Sequence, residues 1–185
     1  MIIFVGGLVG AGKSTIAKAF AQEIACPYYD VDEIKRAVFL EDPDYERNMR
    51  EGKPFSDATR LKVYERVIAD MRGFRGKHEH VVIDEVLHRR ELRHRLYEAA
   101  EEIYGDFLII WVRADEKIVL ERLTAAKREG HILDDPIPMH EAFRRQFEDF
   151  NRSVIVCNNS GKPEESVAYL KELVGAVSKL SPALS

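Results

Sequence analysis

Gly7-Leu8-Val9-Gly10-Ala11-Gly12-Lys13-Ser14-Thr15 satisfies the pattern G-x-x-x-x-G-K-[ST]. Ahead of it, Ile2-Ile3-Phe4-Val5 is a short, branched apolar run of the kind that forms a buried strand. Behind it, Ile16, Phe20 and Ile24 recur at helical spacing beside Ala17 and Ala21, so a helix begins near Lys13. Strand, glycine loop and helix together make a phosphate cradle. Its backbone N–H groups point inward and the helix N-terminus adds a favourable dipole for an anion. Lys13 is expected to reach the β- and γ-phosphates and the Ser14 hydroxyl to hold Mg²⁺, so the stretch from Gly7 to Thr15 implies a nucleoside triphosphate site.

Outward from this loop the chain alternates strand and helix, which predicts an α/β fold with a parallel sheet covered on both faces. Cys26-Pro27-Tyr28-Tyr29 reads as a short second strand ending at Asp30, and a helix follows from about Val31 to Leu40. The polar stretch from Glu41 to Phe55, with Pro43, Gly52 and Pro54, predicts a mobile connection. Ser56 or Asp57 caps a long helix with Leu61, Tyr64, Ile68 and Met71 as its apolar stripe, ended by Gly73 and Gly76. The third strand is His80-Val81-Val82-Ile83-Asp84, followed by a charged helix over His88 to Tyr104. Phe107 to Val112 is the fourth strand, and a helix capped by Asp115 comes next. A proline-bearing break at Gly130 to Pro138, a helix from about Met139 to Phe150, a fifth strand at Ser153 to Cys157 and a last helix complete the chain. Five strands with helical crossovers predict the three-layer, doubly wound fold of P-loop NTPases, in one compact domain over residues 1–185 with a helical lid at about 122–145.

A net charge of −4 and a pI near 5.9 disfavour nucleic acid as a partner. No apolar run reaches membrane-spanning length, and the glycine loop begins too early to leave room for a signal peptide, so a cytoplasmic location is expected. Cys26 and Cys157 read as buried free thiols.

In an open α/β sheet ligands gather at the carboxyl ends of the strands. There the sequence places Asp30, Asp32 and Glu33, then Asp84 and Glu85, then Arg113 and Asp115, then Asn158, Asn159 and Ser160. Acid beside a triphosphate is unfavourable unless a metal or a proton transfer requires it. Asp84, ending an apolar strand, takes the metal role with Ser14. Asp32 takes the role of base toward an attacking hydroxyl, with helix capping as the competing account. Arg128 is the first choice for a lid arginine that offsets transition-state charge, with Arg122 and Arg145 behind it. Arg90 and Arg93, in the cluster from His88 to Arg95, either attract an anionic acceptor or form an exposed helix face. Asn158 and Asn159 either meet the adenine edge or cap the last helix. His78-x-His80 lies at the wrong end of the sheet for this site.

The segment Asp30-Val31-Asp32-Glu33-Ile34-Lys35 resembles the D-x-D or x-x-D-x-x-R segment of small P-loop kinases. That group includes polynucleotide 5′-hydroxyl kinases, zeta-toxin-type kinases, gluconate kinases and chloramphenicol phosphotransferases. Phe55 to Tyr64, the strand Val81-Val82-Ile83-Asp84 and the arginine-rich stretch Arg89 to Arg95 extend the resemblance over roughly Ile2 to Phe150. It implies an ATP- and Mg²⁺-dependent transfer of the γ-phosphate to a hydroxyl of a small molecule. It also implies that Asp32 deprotonates the acceptor, that Lys35 or Arg36 touches the acceptor or the transferring phosphate, and that a lid arginine clamps the phosphates. The chain departs from the group at Arg122 with Lys127-Arg128, and at Asp84-Glu85-Val86, so the acceptor is not inherited. Asp30-Val31-Asp32, with Val154 to Gly161, is similar to dephospho-coenzyme A kinases, which implies the same reaction on a different acceptor. A P-loop ATPase or nucleotide-gated interaction protein is the alternative of another class, in which Glu85 orients a hydrolytic water.

Overall fold

The computed structural model describes residues 1–128 and 136–180, the side chains at 126–128, 173–174 and 176–180 excepted. β1 (Ile2–Gly6) is buried along its whole length at the centre of a five-stranded parallel sheet of order β2-β3-β1-β4-β5. The partners are β2 (Tyr28–Asp30), β3 (Val81–Asp84), β4 (Phe107–Arg113) and β5 (Ile155–Asn158). The parallel register sets Val5 beside Asp84 and Asp30 beside Asp84, so the acids that end β2 and β3 lie side by side.

Alternation along β1 divides the core between the two faces. Ile2 and Phe4 pack with Val63, Val67 and Met71 of α4 (Asp57–Phe74) and with Leu96 and Tyr97 of α5 (Arg90–Tyr104). Ile3 and Val5 pack with Ile16, Ala17 and Phe20 of α1 (Lys13–Glu23) and with Leu170 of α8 (Pro163–Leu180). Four more helices complete the order: α2 (Val31–Phe39), α3 (Tyr45–Glu51), α6 (Glu116–Arg128) and α7 (Pro136–Gln146).

Three local expectations give way. The stretch predicted as a mobile connection contains a helix, α3 (Tyr45–Glu51), closed by Gly52 in the left-handed region at φ 60°. Gly52 is buried, and α3 reaches back to the fold by stacking Tyr45 near Phe55. Gly73 lies inside α4, which continues to Phe74 before Gly76 turns the chain at φ 82°. The expected stripe of α4 holds at Tyr64, Ile68 and Met71, which are buried together with Thr59, Arg60, Val63 and Val67, and gives way at Leu61, which is exposed.

Candidate active site

The glycine loop joins β1 to α1 and closes on itself through Ala11 N–H donating to Leu8 O. Gly10 and Gly12 take φ of 86° and 83°, a region where a side chain is strained. A Cβ on Gly12 would also lie 2.4 Å from Asn159 Nδ2, so the loop is closely braced from behind. That brace is Asn159, whose amide donates to Ala11 O at 3.0 Å, together with Arg122, which donates to Ala11 O and to Asn159 O. A third contact comes from α7, where the buried His140 ring sets Nδ1 2.7 Å from Val9 O.

In front of the loop, Lys13 Nζ lies 2.9 Å from Asp84 Oδ1 and 3.3 Å from Ser14 Oγ. Tyr28 OH donates to the other Asp84 oxygen at 3.0 Å, and burial followed by the Asp84 charge raises the Tyr28 pKa, so the phenol remains a donor. An ammonium thus sits between a hydroxyl and a carboxylate. This is the hard oxygen pair that suits Mg²⁺, so Ser14 and Asp84 fit the metal role. Among the described residues no group of three or more His, Cys, Asp or Glu side chains forms a metal cage.

Beside this pair runs a second chain of charges. Tyr64 OH donates to Glu85 Oε1 at 3.0 Å, Lys35 Nζ lies 2.6 Å from Glu85 Oε2, and the same ammonium lies 2.8 Å from Asp32 Oδ1. Glu85 is fully buried, whereas Asp32 is half exposed. Burial opposes the Lys35 charge, but the two carboxylates outweigh it and raise the pKa. Lys35 in turn is the main reason that the Asp32 carboxyl is held well below its ordinary value, with burial opposing and Lys13 adding to the effect. Capping of α2 falls to Asp30, whose Oδ1 accepts the Asp32 N–H at 2.9 Å.

Loop, Asp32 and Lys35 open onto one cavity of 520 Å³. One side of it is lined by the loop from Leu8 to Thr15 (Ala11 excepted) and by Arg122. Its other side is formed by Arg36 and Phe39 of α2, Tyr45 and Met49 of α3, Phe55, Arg60 of α4, and Val86, Met139 and Phe143. Arg60 is buried, donates from Nε to Phe55 O at 3.2 Å and lies over the Phe143 ring at 4.9 Å.

Arg90 and Arg93, read as acceptor contacts or as an exposed helix face, do not line this cavity. Arg93 is fully buried, and its guanidinium donates to the carbonyls of Leu87, Glu148 and Asp149, fastening α5 to the segment after α7. Arg90 is exposed and donates to Asp149 O at 3.3 Å, away from the cavity. Asn158 is also exposed and accepts from Ser160, while its neighbour Asn159 makes the contact with the loop. Arg145 is exposed and 3.5 Å from Glu141. The Arg128 side chain and the segment 129–135 lie outside the described residues. His80 pairs with Glu79 at the far end of the sheet, and both cysteines are free thiols.

Arg60, Glu85, His140 and Asn159 were not singled out as site residues from sequence, or were assigned other work. For Arg60 the signal is present, since it falls four residues before Tyr64 on a buried stripe. For His140 there is none, because its partner Val9 is 131 residues distant.

A family profile described as an AAA domain matches residues 3–148. No curated protein matches the sequence significantly. Among solved structures, an unliganded sugar kinase from Janibacter sp. HTCC2649 is 20% identical over 94% of each chain, with a TM-score of 0.74. A gluconokinase from Sinorhizobium meliloti 1021 is 22% identical, covering 97% of this chain and 96% of its own, with a TM-score of 0.70. Shikimate kinase from Aquifex aeolicus is 20% identical over 96% and 98% of the two chains, with a TM-score of 0.53. At these identities the likeness is one of fold.

Proposed function

The chain belongs to the AAA-domain family, and from that premise we propose that it is an ATP-dependent kinase acting on a hydroxyl of a small molecule. The observation that carries this reading is the position of Asp32: half exposed on the cavity that also holds the glycine loop, relieved of capping by Asp30, and kept ionised by Lys35. A carboxylate there has the chemistry of a base toward a hydroxyl set against the γ-phosphate.

In the proposed step the acceptor oxygen forms a bond to the γ-phosphorus while its proton passes to Asp32. The bond from that phosphorus to the β,γ-bridging oxygen breaks, and its electron pair leaves with ADP. Lys13 and the N–H groups of the loop hold the phosphates in line, and Arg122 supports the loop from behind. Mg²⁺, held through Ser14 and Asp84, would supply positive charge at the β- and γ-phosphates. With a nucleotide present, Lys13 exchanges its Asp84 partner for phosphate oxygens, which leaves the carboxylate available to a cation. The kinases among the fold neighbours support the reaction class.

Glu85 weighs against the ATPase alternative, since both of its oxygens already have partners and it is fully buried. ADP release by two variants separates the readings. In the kinase, Asp32→Asn retains ADP affinity and loses ~10²–10⁴-fold in acceptor-stimulated turnover. An innocuous Asp32→Asn, a dead Glu85→Gln that still binds ADP, and no stimulation by any hydroxyl compound would together replace the kinase with an ATPase.

A further inference from the structure

The kinase reading leaves the acceptor open, and the wall opposite the glycine loop bears on it. Phe39 and Phe55 stack there with ring centroids 3.9 Å apart and planes 21° from parallel, and Tyr45 continues the stack 6.0 Å from Phe55. Phe143 closes the far side beneath the Arg60 guanidinium. These rings offer few hydrogen bonds to a molecule covered in hydroxyls, and burying such a molecule against them would strand its polar groups. A flat apolar body instead finds partners of its own shape.

Set into this wall are two cations. Among the described residues neither Arg36 nor Arg60 has a carboxylate within ion-pair distance, although every lysine facing the same cavity has one. Arg60 commits only its Nε, to Phe55 O. Desolvation lowers the pKa of the buried Arg60 guanidinium and outweighs the opposing effects of Tyr64, Glu85, Asp57 and Asp32. Both arginines lie within electrostatic reach of Asp32, so an anion held by them is close to the base.

Resting on the kinase reading, we propose that the acceptor is a hydroxyl-bearing molecule with a flat apolar or aromatic body and one anionic group. The ring lies against Phe39, Tyr45 and Phe55, the anion meets Arg36 and Arg60, and the hydroxyl faces Asp32. A polyhydroxylated sugar acid satisfies the arginines but not the wall.

Three probes separate these demands: 4-(hydroxymethyl)benzoate has ring, anion and hydroxyl, benzyl alcohol lacks the anion, and D-gluconate lacks the ring. Each is titrated into the wild-type protein saturated with ADP and Mg²⁺, and binding is read by saturation-transfer NMR and calorimetry. The expected order of affinity is 4-(hydroxymethyl)benzoate, then benzyl alcohol and gluconate, with ring protons most strongly saturated. Arg36→Gln is expected to weaken 4-(hydroxymethyl)benzoate about tenfold or more, the scale of one charge-assisted hydrogen bond, while leaving benzyl alcohol unchanged. Tyr45→Ala, at a half-buried position on α3, is expected to weaken both aromatic probes by about 2- to 10-fold. Gluconate binding as tightly as 4-(hydroxymethyl)benzoate, no ring saturation, or indifference to Arg36→Gln would overturn the inference and leave the kinase reading standing. Failure of ADP to bind in the first titration would instead remove the kinase reading, and this inference with it.

Discussion

Asp30 and Asp32 stand two residues apart at the start of α2 and do different work. Asp30 accepts the Asp32 N–H, so the short helix is capped without help from Asp32. The Asp32 carboxylate is free to face Lys35, whose ammonium it shares with buried Glu85. This sharing has a consequence for pH. The Lys35 charge is the first cause of the lowered Asp32 pKa, so the proposed base is ionised down to strongly acid pH and is not expected to limit activity near neutrality. Lys35→Met removes the largest effect that lowers the Asp32 pKa and leaves burial, which raises it, opposed only by the smaller effects of Lys13 and Arg36. The acid limb of the transfer-rate profile therefore moves upward in pH in Lys35→Met, whereas a Lys35 that acts only as packing leaves the limb in place. The two strand-end acids were legible in the sequence because the residues that end β2 and β3 face the same edge. The clamp between Lys35 and Glu85 was not, since it depends on side chains 50 residues apart.

At the scale of elements, α5 shows how composition misleads. The run from His88 to Arg95 reads as a basic surface, and Arg90, His94 and Arg95 are indeed exposed. Arg93 instead points inward, with its guanidinium 4.4 Å from the Phe150 ring centroid and bonded to backbone carbonyls that end no regular element. Once the arginine is gone, Leu87 O and Glu148 O lose this donor and Asp149 O keeps only its longer bond from Arg90. Arg93→Met is therefore expected to cost about 3 kcal/mol of stability in urea unfolding while ADP affinity of the folded protein is kept. An arginine that served the acceptor would show the reverse. Element order was legible because each strand is a short apolar run ended by acid or turn residues. Helix α3 was missed for a physical reason: Tyr45 to Glu51 is polar, has no buried residue and carries no side-chain cap. Its place is fixed from outside, by Tyr45 against Phe55 and by Thr59 Oγ1 donating to Asp42 at 2.6 Å.

Across the whole molecule, the two cores meet the site at residues that are buried and titratable. His88, 4.5 Å from the Phe143 ring centroid, is pushed down to a pKa of about 2 by burial and by the cations Arg60, Lys35, Arg89 and Arg93 around it. The unfolded chain takes up a proton at the ordinary value of 6.5, while folded His88 does not. Stability from this group is thus complete above pH 6.5 and is lost as pH falls below it, by about 1.4 kcal/mol per unit. Half-buried His80, whose pKa is also lowered, acts in the same direction. Urea midpoints taken at pH 7 and pH 5 are expected to differ by about 2 kcal/mol of stability, and His88→Leu to flatten most of that difference. The central claim, that a hydroxyl rather than water receives the phosphate, is tested most directly by following the phosphate itself. The wild-type protein, Mg²⁺ and ATP labelled with ¹⁸O on the γ-phosphate are incubated with a panel of hydroxyl compounds, and the products are read by mass spectrometry. The account predicts labelled phosphate in a phosphomonoester of one acceptor class, and its loss in Asp32→Asn. Label found only in inorganic phosphate, undiminished by Asp32→Asn, would contradict it.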